Sequence, residues 1–471
     1  MRIVEGYRFV RNKYFFLLFI QVILFASVLN YSCKNNNKVH KEELEGLQEK
    51  TKTRVIVTTD GEGDDRMSLV RFLLYTNEFD VKGLIRSSSK FHWKGRGDVP
   101  GYKWKDDAWI ENHIEAYACV YPNLLLHDEN YQSPEELKKQ VLTGNIDLPG
   151  DMEFETPGSN HIADVLLDPD TSAIWLQAWG GSNTIARALK TIEEKYPERK
   201  TEVSRKARLF LIMFQDSTYH SYIRHSWPEL TVIVSTAFES IGYPWRKRVP
   251  EELQQYYKGT WMNKSILFNH GELCNIYKER LYKPNRRTGD FISEGDSPSF
   301  MHEIQNGLSN TENPSWGGWG GRFKREGGLW VSAFDDNDKF KTIYRWIPAF
   351  QNDFAAKADW CIMSYDSANH HPVVKISSKE NLIEKSGKKV IIDASMSEDP
   401  DGDNLSFYWW QYIDAGTYKE TISLKGSKEA IVSFLLPHDI REGETIHIIC
   451  EITDDGIPAL TRYKRIVITC G

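Results

Sequence analysis

The residues with the clearest capacity for chemistry are the four carboxylates of Thr58-Thr59-Asp60-Gly61-Glu62-Gly63-Asp64-Asp65. Like charges this close repel one another and cost desolvation when partly buried, so a metal ion or a set of hydroxyl donors is the usual compensation. Only oxygen ligands are on offer, which favours Ca2+ or Mg2+ over zinc. The competing reading is a solvated acidic turn that caps the next helix, with Asp64 or Asp65 as N-cap.

The flanking elements decide where such a loop would sit. The β-branched run Val55-Ile56-Val57-Thr58 precedes it, and Met67, Val70, Leu73 and Leu74 follow at helical spacing. Val81 to Ile85 is a second strand. Strand, loop, helix and strand predict a parallel sheet with crossover helices, which places the acidic loop at the carboxyl end of a strand, where open α/β sheets bind ligands. The pattern returns at Ala173 to Ala178, runs through Trp179-Gly180-Gly181-Ser182-Asn183, and continues into a helix from Thr184 to Ile192. Leu209 to Phe214 and Thr231 to Val234 are further strands. Gln215-Asp216 ends the first of these and is a candidate for the same mouth. The stretches 90–165 and 240–325, rich in Gly, Pro, Trp and His, read as long loops over the sheet.

From Pro372 the grammar changes to short alternating runs at Val373–Ile376, Lys389–Asp393, Leu405–Tyr412, Ala430–Leu436, Ile446–Asp454 and Arg465–Thr469. Turn chemistry such as Asp399-Pro400-Asp401-Gly402-Asp403 separates them, as in an immunoglobulin-like β-sandwich. The three aspartates read as an Asx-stabilised turn, because Asn404 and Trp410 stand where a calcium EF loop needs glycine and glutamate. Of Trp409 and Trp410, one is expected in the sandwich core.

At 471 residues the chain has room for two or three domains with real cores, and its 59 Lys+Arg against 66 Asp+Glu give a net charge of −7. Such a mildly acidic chain, without a basic block, lacks the footprint of a nucleic-acid binder. Six scattered cysteines argue against a disulfide scaffold or a zinc site. Basic residues, then the apolar run Tyr14 to Leu29 and Ser32-Cys33, resemble a bacterial lipoprotein signal. The expected organisation is a signal at 1–32, a polar tether at 33–52, an α/β domain at 53–368 and the sandwich at 369–471, in a protein exported to the cell envelope or periplasm and touching membrane only through a lipid on Cys33.

Thr59-Asp60-Gly61-Glu62-Gly63-Asp64-Asp65 before a helix is similar to the N-terminal signature of the inosine-uridine nucleoside hydrolases. The whole chain more closely resembles a family of secreted bacterial "cellulose-binding" proteins that joins a nucleoside hydrolase-like domain to an Ig-like one. Trp179-Gly180-Gly181-Ser182-Asn183, Glu294-Gly295-Asp296-Ser297-Pro298, Trp316-Gly317-Gly318-Trp319-Gly320-Gly321-Arg322 and Trp409-Trp410 carry that resemblance. It implies one Ca2+ held by Asp60, Asp65, the carbonyl of Trp179 and Asp296, with Asp60 also the general base. Asp64 matches a carboxylate on a sugar hydroxyl; Glu62, Asn183, Gln215, Asp216 and Glu294 are further substrate-binding candidates.

Two departures stand out. Gly295 occupies the place of a histidine that serves as acid for the leaving base, and Ala237-Phe238-Glu239 does not match the family's Glu-x-Asn pair. Glu294, His161 and His270 are candidate replacement acids. Trp179, Trp316 and Trp319 are candidates for stacking on sugars, with core packing as the alternative. Arg322 reads as a structural ion pair. The expected activity is Ca2+-dependent hydrolysis of an N- or O-glycosidic bond in a nucleoside-like or glycan-derived substrate; the rival is a carbohydrate-binding protein that keeps the calcium site without turnover.

Overall fold

The computed structural model describes residues 52–104, 106–281 and 289–471, and Thr53 to Gly471 form one compact unit. The expected signal and all of the tether except Lys52 lie outside the described residues. Among the described residues no helix is long and apolar enough to cross a membrane.

Strand β1 (Thr53–Thr59) leads into α1 (Gly63–Leu73) and β2 (Phe79–Arg86), followed by a hairpin of β3 (Trp93–Arg96) and β4 (Val99–Tyr102) and by α2 (Trp109–His127). Next come β5 (Val141–Thr143), α3 (Pro157–Leu167), β6 (Ile174–Ala178), α4 (Asn183–Lys195), β7 (Ala207–Ile212) and β8 (Thr231–Ser235). Helices α5 (Gly271–Leu281) and α6 (Ser297–Met301), strands β9 (Phe323–Glu326) and β10 (Leu329–Ser332), and helix α7 (Ile347–Asp359) complete this part. Eight strands make one sheet in the order β5-β2-β1-β6-β7-β8-β10-β9, parallel except for β9 on β10.

Both faces of that sheet are covered, as a parallel sheet requires. Val55 and Val57 of β1 point into one core with Phe72, Phe79, Trp179 and Phe300, whereas Ile56 points into the other with Ile174, Leu176 and Leu189. The stretches expected as loops are partly helical. Helix α2 buries Ile110, Ile114, Tyr117, Val120 and Leu124 at three- and four-residue spacing, but Pro122 and the aromatic content obscure that period in sequence.

The C-terminal region is all β. Strands β11 (Asn381–Glu384), β13 (Ser406–Gln411), β15 (Thr445–Thr453) and β16 (Thr461–Cys470) form a sheet in the order β11-β16-β15-β13, and β12 (Lys389–Asp393) pairs with β14 (Ile431–Leu435). They enclose a core that includes Val390, Ile392, Trp409, Phe434 and Ile448. Val373 to Ile376 makes only an isolated bridge, Val373 with Glu398, and β11 takes the edge position instead. Trp409 is buried in this core while Trp410 packs on Trp346. Asp399 Oδ1 accepts the N–H groups of Asp401 (2.9 Å) and Asp403 (3.2 Å), the expected Asx turn. The outer face of the four-stranded sheet adds Tyr412, Ile449 and Tyr463 to the core of the α/β part.

Candidate functional site

Strand β1 delivers Thr59 to the carboxyl edge of the sheet, where the chain turns sharply through Gly61 (φ +74°). A Cβ at Gly61 would stand 2.8 Å from the indole nitrogen of Trp109, so glycine is required by both conformation and space. Glu62 is the N-cap of α1 without a side-chain cap, which puts Asp64 and Asp65 inside the first turn and not at the cap. Asp65 Oδ1 accepts from the backbone N–H of Asp60 (3.2 Å) and from the Thr59 hydroxyl. Asp60 Oδ1 accepts from Glu62 N–H at 3.0 Å. Tyr243 and Ser293 donate to the two oxygens of Asp64, at 3.3 and 3.2 Å.

Asp64, Asp65 and Asp296 each offer an oxygen within 4.8 Å of the others. The tightest carboxylate cluster therefore differs from the expected ligand set: Asp64 enters it and Asp60 stands beside it, turned back onto its own loop. Asp60 Oδ2 and Asp296 Oδ2 are buried and meet no hydrogen-bond partner among the described residues. Burial first, and then the charge of Asp65, push both carboxyls well above the usual range; for Asp296, Asp64 and Asp60 add to the effect. Asp64 is pushed up to about 8 by burial, Asp65 and Glu62. Asp65 is raised by burial, against the hydrogen bonds from Thr59 and Asp60. Concentrated negative charge with orphaned, hard oxygen donors fits a divalent cation such as Ca2+ or Mg2+.

The electrostatics predict a pH signature. Because the folded-state value of Asp64 lies above its unfolded value of 3.8, the folded state takes up the proton; its stabilising contribution is complete below pH 3.8 and is lost as pH rises through about 8. In chelator, the melting temperature of Asp64→Asn relative to wild type is therefore expected to rise from about pH 5 to about 8 and to level off above that. A difference that does not vary with pH would contradict the burial argument.

The remaining sequence candidates divide into neighbours of this cluster and structural groups. Gly180, just past β6, lets the next loop lie on Asp60, since a Cβ there would come 3.0 Å from the Asp60 Cβ. The carbonyl of Trp179 accepts a hydrogen bond from the buried amide of Gln215, which also donates to the Ile212 carbonyl at 3.1 Å. Asn183 is fully buried and its amide N–H groups donate to Ser88 Oγ, the Asn145 carbonyl and the Asp151 carbonyl (2.9, 2.8 and 3.2 Å), so it ties loops together, while its Oδ1 meets no partner among the described residues. Asp216 accepts from Asn183 N–H, Thr218 N–H and the Thr218 hydroxyl (2.9, 2.9 and 2.7 Å), which spends it on capping the start of α4.

Glu294 is drawn into a buried ion pair. It is completely buried, accepts from Arg71 Nη2 at 3.1 Å, Tyr277 hydroxyl at 2.8 Å and Ser297 hydroxyl at 2.9 Å, and its charge is committed to the Arg71 guanidinium. His161, on α3, bonds the Lys82 carbonyl of β2, and His270 pairs with Asp359 at 3.1 Å, so neither reaches the acidic loop. A Cβ at Gly295 would lie 2.8 Å from Asp64 Oδ2 and 3.3 Å from the Phe238 ring, so a side chain there would displace the Asp64 carboxylate. Trp179 and Trp319 are core residues, Trp179 with its indole N–H on Ser299 Oγ (2.8 Å), and Trp316 packs edge-on against His447. Arg322 pairs with Asp335 at 2.7 Å.

The sequence reading missed four groups at the mouth. His92 Nδ1 is 3.9 Å from Glu62 Oε2, Tyr243 bonds Asp64, Arg280 lies over Gly63, and Trp109 lies over Gly61. Each comes from a stretch read as loop. The one available signal was Ser87-Ser88-Ser89 directly after β2, a polar break of the kind that ends a strand at a site.

A family model described as "Cellulose-binding Sde182, nucleoside hydrolase-like domain" matches residues 54–323, and one described as "Cellulose-binding protein Sde0182, C-terminal domain" matches residues 389–470. Among solved structures, the chain is similar to a nucleoside hydrolase-related hypothetical protein from Saccharophagus degradans, described as associated with carbohydrate metabolism. The two share 29% identity over 89% of this chain and 100% of that one, with a TM-score of 0.74. A plant nucleoside hydrolase (12% identity, 63% of this chain, 99% of that one, TM-score 0.31) and a PKD domain (11%, 21% and 85%, TM-score 0.16) superpose too loosely to carry an argument. No curated protein matches the chain.

Proposed function

Because the chain belongs to the cellulose-binding Sde182 family, whose N-terminal domain is nucleoside hydrolase-like, we propose that it is an exported, Ca2+-dependent hydrolase acting on a glycosidic bond of a sugar-containing small molecule or oligosaccharide. The observation that carries this reading is the buried carboxylate group at the end of β1, with the unpartnered oxygens of Asp60 and Asp296 beside the Asp64-Asp65-Asp296 cluster. Asp64, Asp65 and Asp296 would hold the cation, which when bound offsets their charge and polarises water and sugar hydroxyls. Asp60, with one oxygen fixed by the Glu62 N–H and the other free, takes a proton from the attacking water. Attack by water directly at the sugar carbon inverts its configuration. Export rests on the basic and apolar N-terminus, with Cys33 as the lipid-bearing residue.

A second reading has its own support. Gly295 stands where a histidine is expected and Glu294 is locked to Arg71, so the acid for a leaving group is missing from its expected place, as in a protein that binds sugar without turnover. Titrating Ca2+ into chelator-treated wild type and Asp65→Ala tests the site, and equal binding by both proteins sinks the metal assignment. Incubating wild type with nucleosides, aryl glycosides and oligosaccharides separates the readings: release of free sugar supports hydrolysis, and saturable binding without release supports the rival.

A further inference from the structure

The β3–β4 hairpin does no work in the site described so far, yet both of its ends border that site. The residue before it, His92, stands 3.9 Å from Glu62, and the residue after it, Lys103, lies close enough to act on the Glu62 charge. At its base Trp93 and Tyr102 face each other across the strands, with ring centroids 4.9 Å apart and planes at 25°. Tyr102 is 44% exposed and Trp93 half-buried, an unusual position for two large rings that burial would normally reward.

The hairpin is held rigidly. The N–H groups of Lys94 and Gly95 donate to the carbonyls of Ile146 and Asp147 (both 2.9 Å), Arg96 pairs with Asp151 at 2.7 Å, and the Trp93 indole donates to the Pro100 carbonyl at 3.0 Å. Charged groups flank the rings: Lys94 and the Trp104 indole both bond Asp107 (2.6 and 2.7 Å), and the Lys103 ammonium sits 5.1 Å from the Tyr102 ring centre.

We propose that the Trp93–Tyr102 pair is a second sugar subsite contiguous with the carboxylate pocket, so that the ligand is an oligosaccharide and not a free nucleoside. An apolar ring surface with hydrogen-bonding groups around it matches a pyranose, which has a C–H face and a hydroxyl rim. Because the two rings already stack on each other, no ligand inserts between them, and contact is made with the outer face of the pair. A pre-ordered hairpin also binds without the ordering cost that a mobile loop would incur. This inference deepens the sugar-site reading above and rests on it for the identity of the neighbouring pocket.

The test is calorimetric titration of the full chain with cellohexaose and with glucose, in the presence of Ca2+. Wild type is expected to bind the hexasaccharide at least about tenfold more tightly than glucose, and Trp93→Ala/Tyr102→Ala to lose about tenfold for the hexasaccharide, the effect of removing an aromatic anchor. Affinity for glucose is expected to stay unchanged. Trp93→Phe/Tyr102→Phe, which keeps ring surface, is expected to retain the preference for the longer ligand. No preference in wild type, no hexasaccharide binding, or full binding by the alanine variant overturns the proposal. Asp65→Ala separates the two layers: unchanged Ca2+ binding in that variant defeats the pocket reading alone, whereas the ring-dependent difference tests the hairpin alone.

Discussion

Asp60→Asn is expected to lower hydrolysis of a substrate that wild type turns over by about 10²–10⁴-fold, the usual contribution of a positioned general base. The substitution preserves shape, and the amide oxygen can still accept the Glu62 N–H that Asp60 Oδ1 accepts at 3.0 Å. What it removes is a carboxylate that burial and Asp65 push well above the usual range, toward the pH at which a base works best. The cluster of Asp64, Asp65 and Asp296 does not include Asp60, so Ca2+ affinity should change far less than kcat. Single-turnover rates measured alongside a Ca2+ titration check both halves. Unchanged turnover would reject Asp60 as base, and loss of Ca2+ binding in parallel with turnover would make it a ligand first.

Glu294→Ala should be the most destabilising single change near the site, by about 3–5 kcal/mol, because it leaves the Arg71 guanidinium buried without its counter-charge. Arg71 is 1% exposed and would keep the Gln351 side chain (2.6 Å), the Phe350 carbonyl (3.1 Å) and the face of the Phe354 ring (4.0 Å), none of which carries a counter-charge. The pair spans 223 residues and joins α1, which carries Asp64 and Asp65, to the segment that carries Asp296. Its loss should therefore weaken Ca2+ binding as well as the fold. Urea denaturation in chelator measures the first effect and calorimetry the second; a midpoint within error of wild type would show that the pair is dispensable.

These two residues illustrate what can be read without coordinates. The acidic loop, the strand before it and the helix after it are local features: a β-branched run, turn glycines and a helical period within some twenty residues. They specify β1, α1 and the sheet they build, because backbone propensity and one buried face act over short distances. The strands after residue 380 were legible for the same reason, apart from β11, whose pairing with β16 depends on residues far along the chain.

The direction of each side chain was another matter. Glu294 looked like an acid because it precedes Asp296, but Arg71 claims it; Asn183 and Asp216 looked like ligands, but unsatisfied backbone groups of neighbouring loops claim them. A buried polar group must find partners, and the partners of these three lie 33, 38 and 223 residues away. Trp179 and Trp319 went to the core because large rings gain most from leaving water, whereas Trp93 stayed near the surface on a hairpin with no core to enter.

The amino-acid sequence by itself determined the family, strands β1, β2, β6, β7 and β8 with the helices that follow β1 and β6, and the oxygen-only chemistry of residues 60 to 65, since each depends on residue type and short-range spacing. Only the tertiary structure decided that Asp64 joins Asp65 and Asp296, that Gly295 lies against Asp64 and the Phe238 ring, and that His92, Trp109, Tyr243 and Arg280 close around the mouth. The physical reason is one of range: propensity and periodicity act between neighbours in the chain, while charge compensation, hydrogen-bond satisfaction and close packing act between neighbours in space.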